Sequence, residues 1–113
     1  MAVSKDLVAA SATPLILTIL AEGESYGYAI IKRVRELSNG QMHWADGMLY
    51  PVLHRLEQQG LIESNILTSE AGRKRKYYRI KKKGTRMLKE QKNQWMLVHS
   101  IFEKLWEKKP CLT

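Results

Sequence analysis

Residues Asp46 to Ile80 constrain the fold of this chain more than any other stretch. In Asp46-Gly47-Met48-Leu49-Tyr50-Pro51-Val52-Leu53-His54-Arg55-Leu56-Glu57-Gln58-Gln59-Gly60, the apolar residues Leu49, Val52, Leu53 and Leu56 recur at helical spacing and the run ends at a glycine. Two extended runs follow, Leu61 to Leu67 and Arg73 to Ile80, joined by Thr68-Ser69-Glu70-Ala71-Gly72. The second is cationic and aromatic, with Lys74, Lys76 and Tyr78 on one face and Arg73, Arg75, Tyr77 and Arg79 on the other. A short helix that stops at a glycine and runs into a two-stranded ribbon leaves few arrangements open. The helix must bury its leucine face, and the ribbon must lie beside it.

Charge sharpens this pattern. Between Asn65 and Lys92 there are eleven Lys and Arg residues and two Glu, a local net charge of +9 in a chain whose total is +8. The excess is confined to the ribbon and the residues just after it. A localised cationic surface with aromatic residues interleaved points to a polyanionic partner, and duplex DNA fits best.

The remaining segments supply a frame. Lys5 to about Ala21 reads as a first helix, with Pro14 leaving two options: a helix starting there under a Thr13 cap, or a longer helix bent at the proline. Ser25 is the expected cap of a second helix to about Leu37, with Tyr26, Ile30, Val34 and Leu37 as its buried stripe. Gly27 in its first turn points to close approach of a neighbouring helix. Met42 to Trp44 is expected to be a short strand pairing with the ribbon. A last helix opens at Lys83-Gly84-Thr85 and runs to about Lys108, before Pro110.

These elements define an α+β, mostly α fold: a winged helix-turn-helix with a C-terminal dimerisation helix. Expected boundaries are 1–81 for the DNA-binding domain, 82–109 for the dimerisation helix and 110–113 for a tail. The third helix is the probe for the major groove. Its outward face carries Pro51 and His54, flanked by Met48, Tyr50 and Arg55. Arg73, Lys74, Arg75 and Lys76 supply the wing's charge. The last helix carries more apolar and aromatic residues than one face of a small domain needs. Trp95, Val98, Phe102 and Leu105 are the expected dimer contacts. Two copies would set probe helices about 34 Å apart, the spacing of successive major grooves on a palindromic operator.

Catalysis finds no foothold in this sequence. His43, His54 and His99 are far apart, there is no glycine-rich phosphate loop, and Cys111 is the single cysteine. No enzyme activity, metal or cofactor is expected. The longest apolar run, Pro14 to Ala21, is too short for a membrane span, and a cytoplasmic protein is the expectation. The alternative reading is a winged-helix interaction module whose basic wing meets an acidic protein.

Three blocks resemble the PadR family of bacterial transcriptional regulators. They are Tyr26-Gly27-Tyr28, the run from Gly47 to Glu57 with Gly60-Leu61-Ile62, and Gly72 to Ile80. The short chain with one C-terminal helix resembles the compact branch. The resemblance implies a homodimeric repressor relieved by a small molecule or stress signal. It adds Tyr26 to the candidate DNA contacts. It also implies that a planar aromatic effector could sit at the dimer centre against Trp95, with Leu88 and His99 sharing the lining. Two positions depart from the family pattern. Met48 replaces a common threonine, an apolar contact for a hydroxyl one, which implies an altered operator preference, for example toward a thymine methyl. Lys81 stands where a threonine often caps the last helix, leaving Thr85 or water for that role.

Overall fold

The computed structural model describes residues 2–107, so the Pro110 helix stop, Cys111 and the 110–113 tail lie outside the described residues. Helix α1 spans Lys5–Ala21, strand β1 Ser25–Tyr26, α2 Gly27–Leu37 and α3 Asp46–Gln58. Strands β2, Ile62–Thr68, and β3, Lys74–Ile80, precede α4, Lys82–Trp106. The sheet is antiparallel with order β1-β3-β2.

Helix α1 is one continuous helix through Pro14, which decides between the two sequence options. Ser4 caps it, its hydroxyl accepting from the Leu7 N–H at 3.2 Å, so Thr13 is not a cap and Lys5 to Ala12 belongs to the helix. The packing of Ala12, Ile16, Leu17, Ile19 and Leu20 into the core offsets the bond that Pro14 cannot donate.

Around α1 close Ile30, Ile31 and Val34 of α2, Leu49, Leu53 and Leu56 of α3, Leu61, Ile62 and Tyr78. Leu56, Leu53 and Leu49 are the expected inward residues, and Val52 packs at the core's edge. Trp44 is also buried, and its indole N–H finds no acceptor among the described residues.

Four local expectations give way to tertiary pairing. Ser25 is not a helix cap: it pairs with Tyr78, and Tyr26 pairs with Tyr77, as strand β1. The third strand is therefore Ser25–Tyr26 and not Met42 to Trp44, because Trp44 is drawn into the core instead. Leu37 is 61% exposed, since α2 ends there and Ile31 takes the inward place. Thr85 does not cap α4. Its hydroxyl donates to the Lys81 carbonyl at 3.3 Å, and among the described residues no side chain caps that terminus.

The turn from α3 into the wing depends on Gly60, which holds a φ of +76°. It lets the Leu61 N–H reach back to the Leu56 carbonyl at 3.0 Å, ending the helix and aiming the chain into β2. The start of α4 is pinned beside this turn. Lys83 donates to the Gln59 carbonyl at 2.9 Å, and the Lys81 N–H to Leu61 at 2.9 Å. Gly84 is buried there, and a side chain on it would overlap the Leu61 carbonyl oxygen and the Ile80 side chain. From Trp95 onward α4 leaves the core, giving the molecule a 67 Å long axis against 30 and 21 Å.

Candidate nucleic-acid interface

Helix α3 presents three sectors. One buries Leu49, Leu53 and Leu56. The opposite one exposes Gly47, Pro51, His54 and Gln58. Pro51 supplies no N–H to the Gly47 carbonyl, leaving that acceptor on the exposed sector. The core sector anchors the helix; the outer sector is free to enter a groove.

The flanks of α3 diverge. Tyr50 points toward α2 and the wing. Its ring and hydroxyl lie where a Gly27 side chain would be, so Gly27 admits this tyrosine across the start of α2. Tyr26, Gly27, Tyr28 and Tyr50 then line a cleft of about 460 Å³ with Arg73, Lys74, Arg75 and Lys76. Three tyrosines and four cations thus share one concavity. Such a surface suits phosphate oxygens, which take hydrogen bonds from hydroxyls and charge from Lys and Arg.

The wing is rooted by aromatic contacts. Tyr26 meets Tyr77 edge-on at 5.2 Å, and the Arg75 guanidinium lies 4.5 Å from the Tyr26 ring centroid. Tyr78 is buried, and burial pushes its phenol above the usual range, with Glu57 and Tyr50 adding to the effect. The hairpin closes through Ser69, whose N–H donates to the Arg73 carbonyl at 2.9 Å and whose hydroxyl accepts from the Arg73 N–H at 3.1 Å. Arg73 therefore belongs to the loop at the wing tip, not to the strand. Ile66 and Leu67 are exposed on β2.

Met48 and Arg55 lie on the other flank. Met48 is half-buried against the core and shares a groove with Val8 and Trp44. Arg55 is exposed and donates to the Thr13 hydroxyl at 3.2 Å, tying α3 to α1. Within this chain Tyr26 and Tyr50 thus share the cleft with the four wing cations, while Met48 and Arg55 lie outside it. Sequence reasoning passed over Tyr28, which lines the cleft and is 62% exposed, although it stands in the same block as Tyr26 and Gly27. It also passed over Glu57, whose carboxylate bonds the Ser64 hydroxyl and faces Lys76.

Among the described residues, no group of three or more His, Cys, Asp or Glu could hold a metal ion. No described helix is long and apolar enough to cross a membrane.

A helical frame presenting a probe helix beside a cationic hairpin wing defines a DNA-binding winged-helix protein. The chain belongs to the PadR-like family of transcriptional regulators, whose family model matches residues 16–90. It is 31% identical over 105 residues to Uncharacterized protein X of Lysinibacillus sphaericus, spanning 93% of this chain and 96% of that one. It is 34% identical over 80 residues to Transcriptional regulator YqjI of Escherichia coli, covering 71% of this chain but 37% of that protein. Its structure is similar to a PadR-like transcriptional regulator from Bacillus cereus, with a TM-score of 0.81, 30% identity and coverage of 93% of this chain and 100% of that one. It is also similar to a transcriptional regulator from Clostridium thermocellum, with a TM-score of 0.80, 32% identity and coverage of 88% and 97%.

Proposed function

We propose that this regulator is a homodimeric repressor that reads a palindromic operator through α3 and the wing, and releases it on binding a small molecule or on a stress signal. The observation that carries the reading is the cleft that joins Tyr26, Tyr28 and Tyr50 to the Arg73–Lys76 cations beside the exposed sector of α3. Pro51 and His54 face the base edges, with Met48 and Arg55 at the far flank of the probe. The wing neutralises phosphates and releases their counterions. Residues 1–81 are the DNA-binding unit and α4 is the dimerisation helix, acting in the cytoplasm.

The dimer is supported by the exposed stripe of α4, with Trp95, Val98, Phe102 and Leu105 as its contacts. An effector is supported by a groove of about 430 Å³ between α1 and α4, lined by Leu88 and Trp95, where a flat aromatic molecule could stack on the indole. His99 is not part of that lining; its Nε2 lies 3.4 Å from Glu103.

Footprinting over the neighbouring intergenic DNA tests the reading. A protected palindrome is the expected result, and its absence sinks the proposal. Replacing Arg73 and Lys74 together with alanine should weaken all DNA about equally and lower the log–log salt slope by about 1.8, at about 0.9 per lost phosphate contact. His54→Ala should instead change which sequence is preferred.

A further inference from the structure

A carboxylate beside DNA phosphates opposes binding, so Glu57 on the probe helix calls for a reason. Both of its oxygens are engaged. Oε2 accepts from the Ser64 hydroxyl on β2, and Oε1 lies 3.9 Å from the Lys76 ammonium on β3. In the β2–β3 register Ser64 stands opposite Tyr78 and Ile66 opposite Lys76, so one carboxylate at the end of α3 spans both strands of the wing. Lys76 is held a second time, 5.6 Å from the Tyr78 ring centroid. Arg73 and Lys74, near the hairpin tip, have no carboxylate partner among the described residues.

The Glu57–Lys76 pair is partly exposed, with side-chain exposures of 31% and 50%, so screening makes it a weak source of stability. Its consequence lies in geometry and local charge. A phosphate that takes Lys76 must compete with Glu57, and the wing strand cannot slide along the backbone without leaving the carboxylate that ties it to α3.

We infer that Glu57 is a specificity-determining residue: it fixes the wing's distance from the probe helix and withholds Lys76 from indiscriminate phosphate binding. The inference rests on the DNA-binding reading above. Random DNA rewards any free cation, whereas an operator rewards only the arrangement in which probe and wing fit together. Holding one wing cation back therefore lowers random binding more than operator binding.

The test uses the full-length protein, the duplex protected in the footprint and a random duplex of equal length. Glu57→Gln keeps an acceptor for Ser64 and removes the charge. The expected result is random-DNA binding about threefold tighter, with a salt slope steeper by about 0.9, and operator binding unchanged or weaker. Equal tightening on both duplexes would mean simple removal of a repulsive charge and would overturn the inference. In the Glu57→Gln/Lys76→Gln double variant the slope should return to the wild-type value; a slope that stays steep shows that the gain bypasses Lys76, and overturns it too. Wild-type protein that binds both duplexes equally overturns the function and the inference together; an operator-to-random affinity ratio that does not fall in Glu57→Gln overturns the inference alone.

Discussion

The two halves of α4 differ in apolar load, Met87 and Leu88 in the first against eight apolar residues from Trp95 to Trp106 in the second, and they meet opposite surroundings. In the first half, Met87 and Leu88 pack on the core and Gly84 is locked against Leu61 and Ile80. In the second, Trp95 is 39% exposed, Val98, Ile101, Phe102 and Leu105 more so, and Trp106 75%. Phe102 and Trp106 stack on each other at 4.7 Å, the aromatic contact that their own helix offers. Continuous periodicity therefore does not mean a continuous partner. One half is covered by its own chain; the other exposes a contiguous apolar stripe of the kind that marks an interaction surface.

Breaking the projecting half should have the largest effect. Val98→Asp with Phe102→Asp puts two charges into the proposed interface and should raise the dimer dissociation constant at least about 1000-fold, or about 4 kcal/mol. Sedimentation should find monomers whose melting is that of a folded domain; a variant that stays dimeric would move the interface elsewhere.

Breaking the seated half should cost folding instead. Gly84→Ala drives a methyl group into a backbone carbonyl, which cannot rotate away, and should destabilise by about 3 kcal/mol. Melting should fall by more than about 12 °C at about 4–8 °C per kcal/mol. An unchanged melting temperature would show that α4 is not locked there.

Gly27→Ala sharpens the same contrast at the proposed DNA surface. The atoms in its way are the far end of the Tyr50 side chain, which can swing aside. Alanine also favours α2 by about 1 kcal/mol, so stability should change little. Displacing Tyr50 from the cleft should still weaken DNA binding about threefold, read by titration of a labelled duplex. Loss of stability with binding intact would contradict the assignment of Tyr50 to the cleft.

The smallest effect concerns pH. The raised phenol of Tyr78 means that the folded chain keeps a proton that the unfolded chain releases near pH 10. This contribution is complete below about pH 10 and is lost as pH rises through the folded-state value. Denaturant midpoints should fall as pH rises above about 10, and Tyr78→Phe should flatten the fall. A slope unchanged in Tyr78→Phe would assign it to other groups.

Most of the candidate site's framework was readable because its signals are local. The leucine spacing of α3, the stop at Gly60 and the cationic, aromatic strand each depend on a few consecutive residues. What escaped depends on distant partners. Ser25 and Tyr26 are extended because β3 holds them, and nothing in two residues announces a strand. Trp44 looks like part of a ribbon until the core claims it. Gly27 and Gly84 show as weak points in helices, and the atoms that require them, on Tyr50 and Leu61, are 23 residues away in both cases.

Periodicity, glycine placement and clustered charge by themselves determined a winged-helix chain with a cationic wing and an amphipathic last helix. These properties follow from backbone preferences and solvent affinity, which neighbouring residues set. Tertiary structure alone decided that Tyr50 shares a cleft with the wing, that Met48 meets Val8 and Trp44 while Arg55 reaches Thr13, that Glu57 faces Lys76, and that half of α4 stands uncovered. Each of those facts rests on a contact between residues separated in the chain, and packing, unlike propensity, is defined only once both partners are in place.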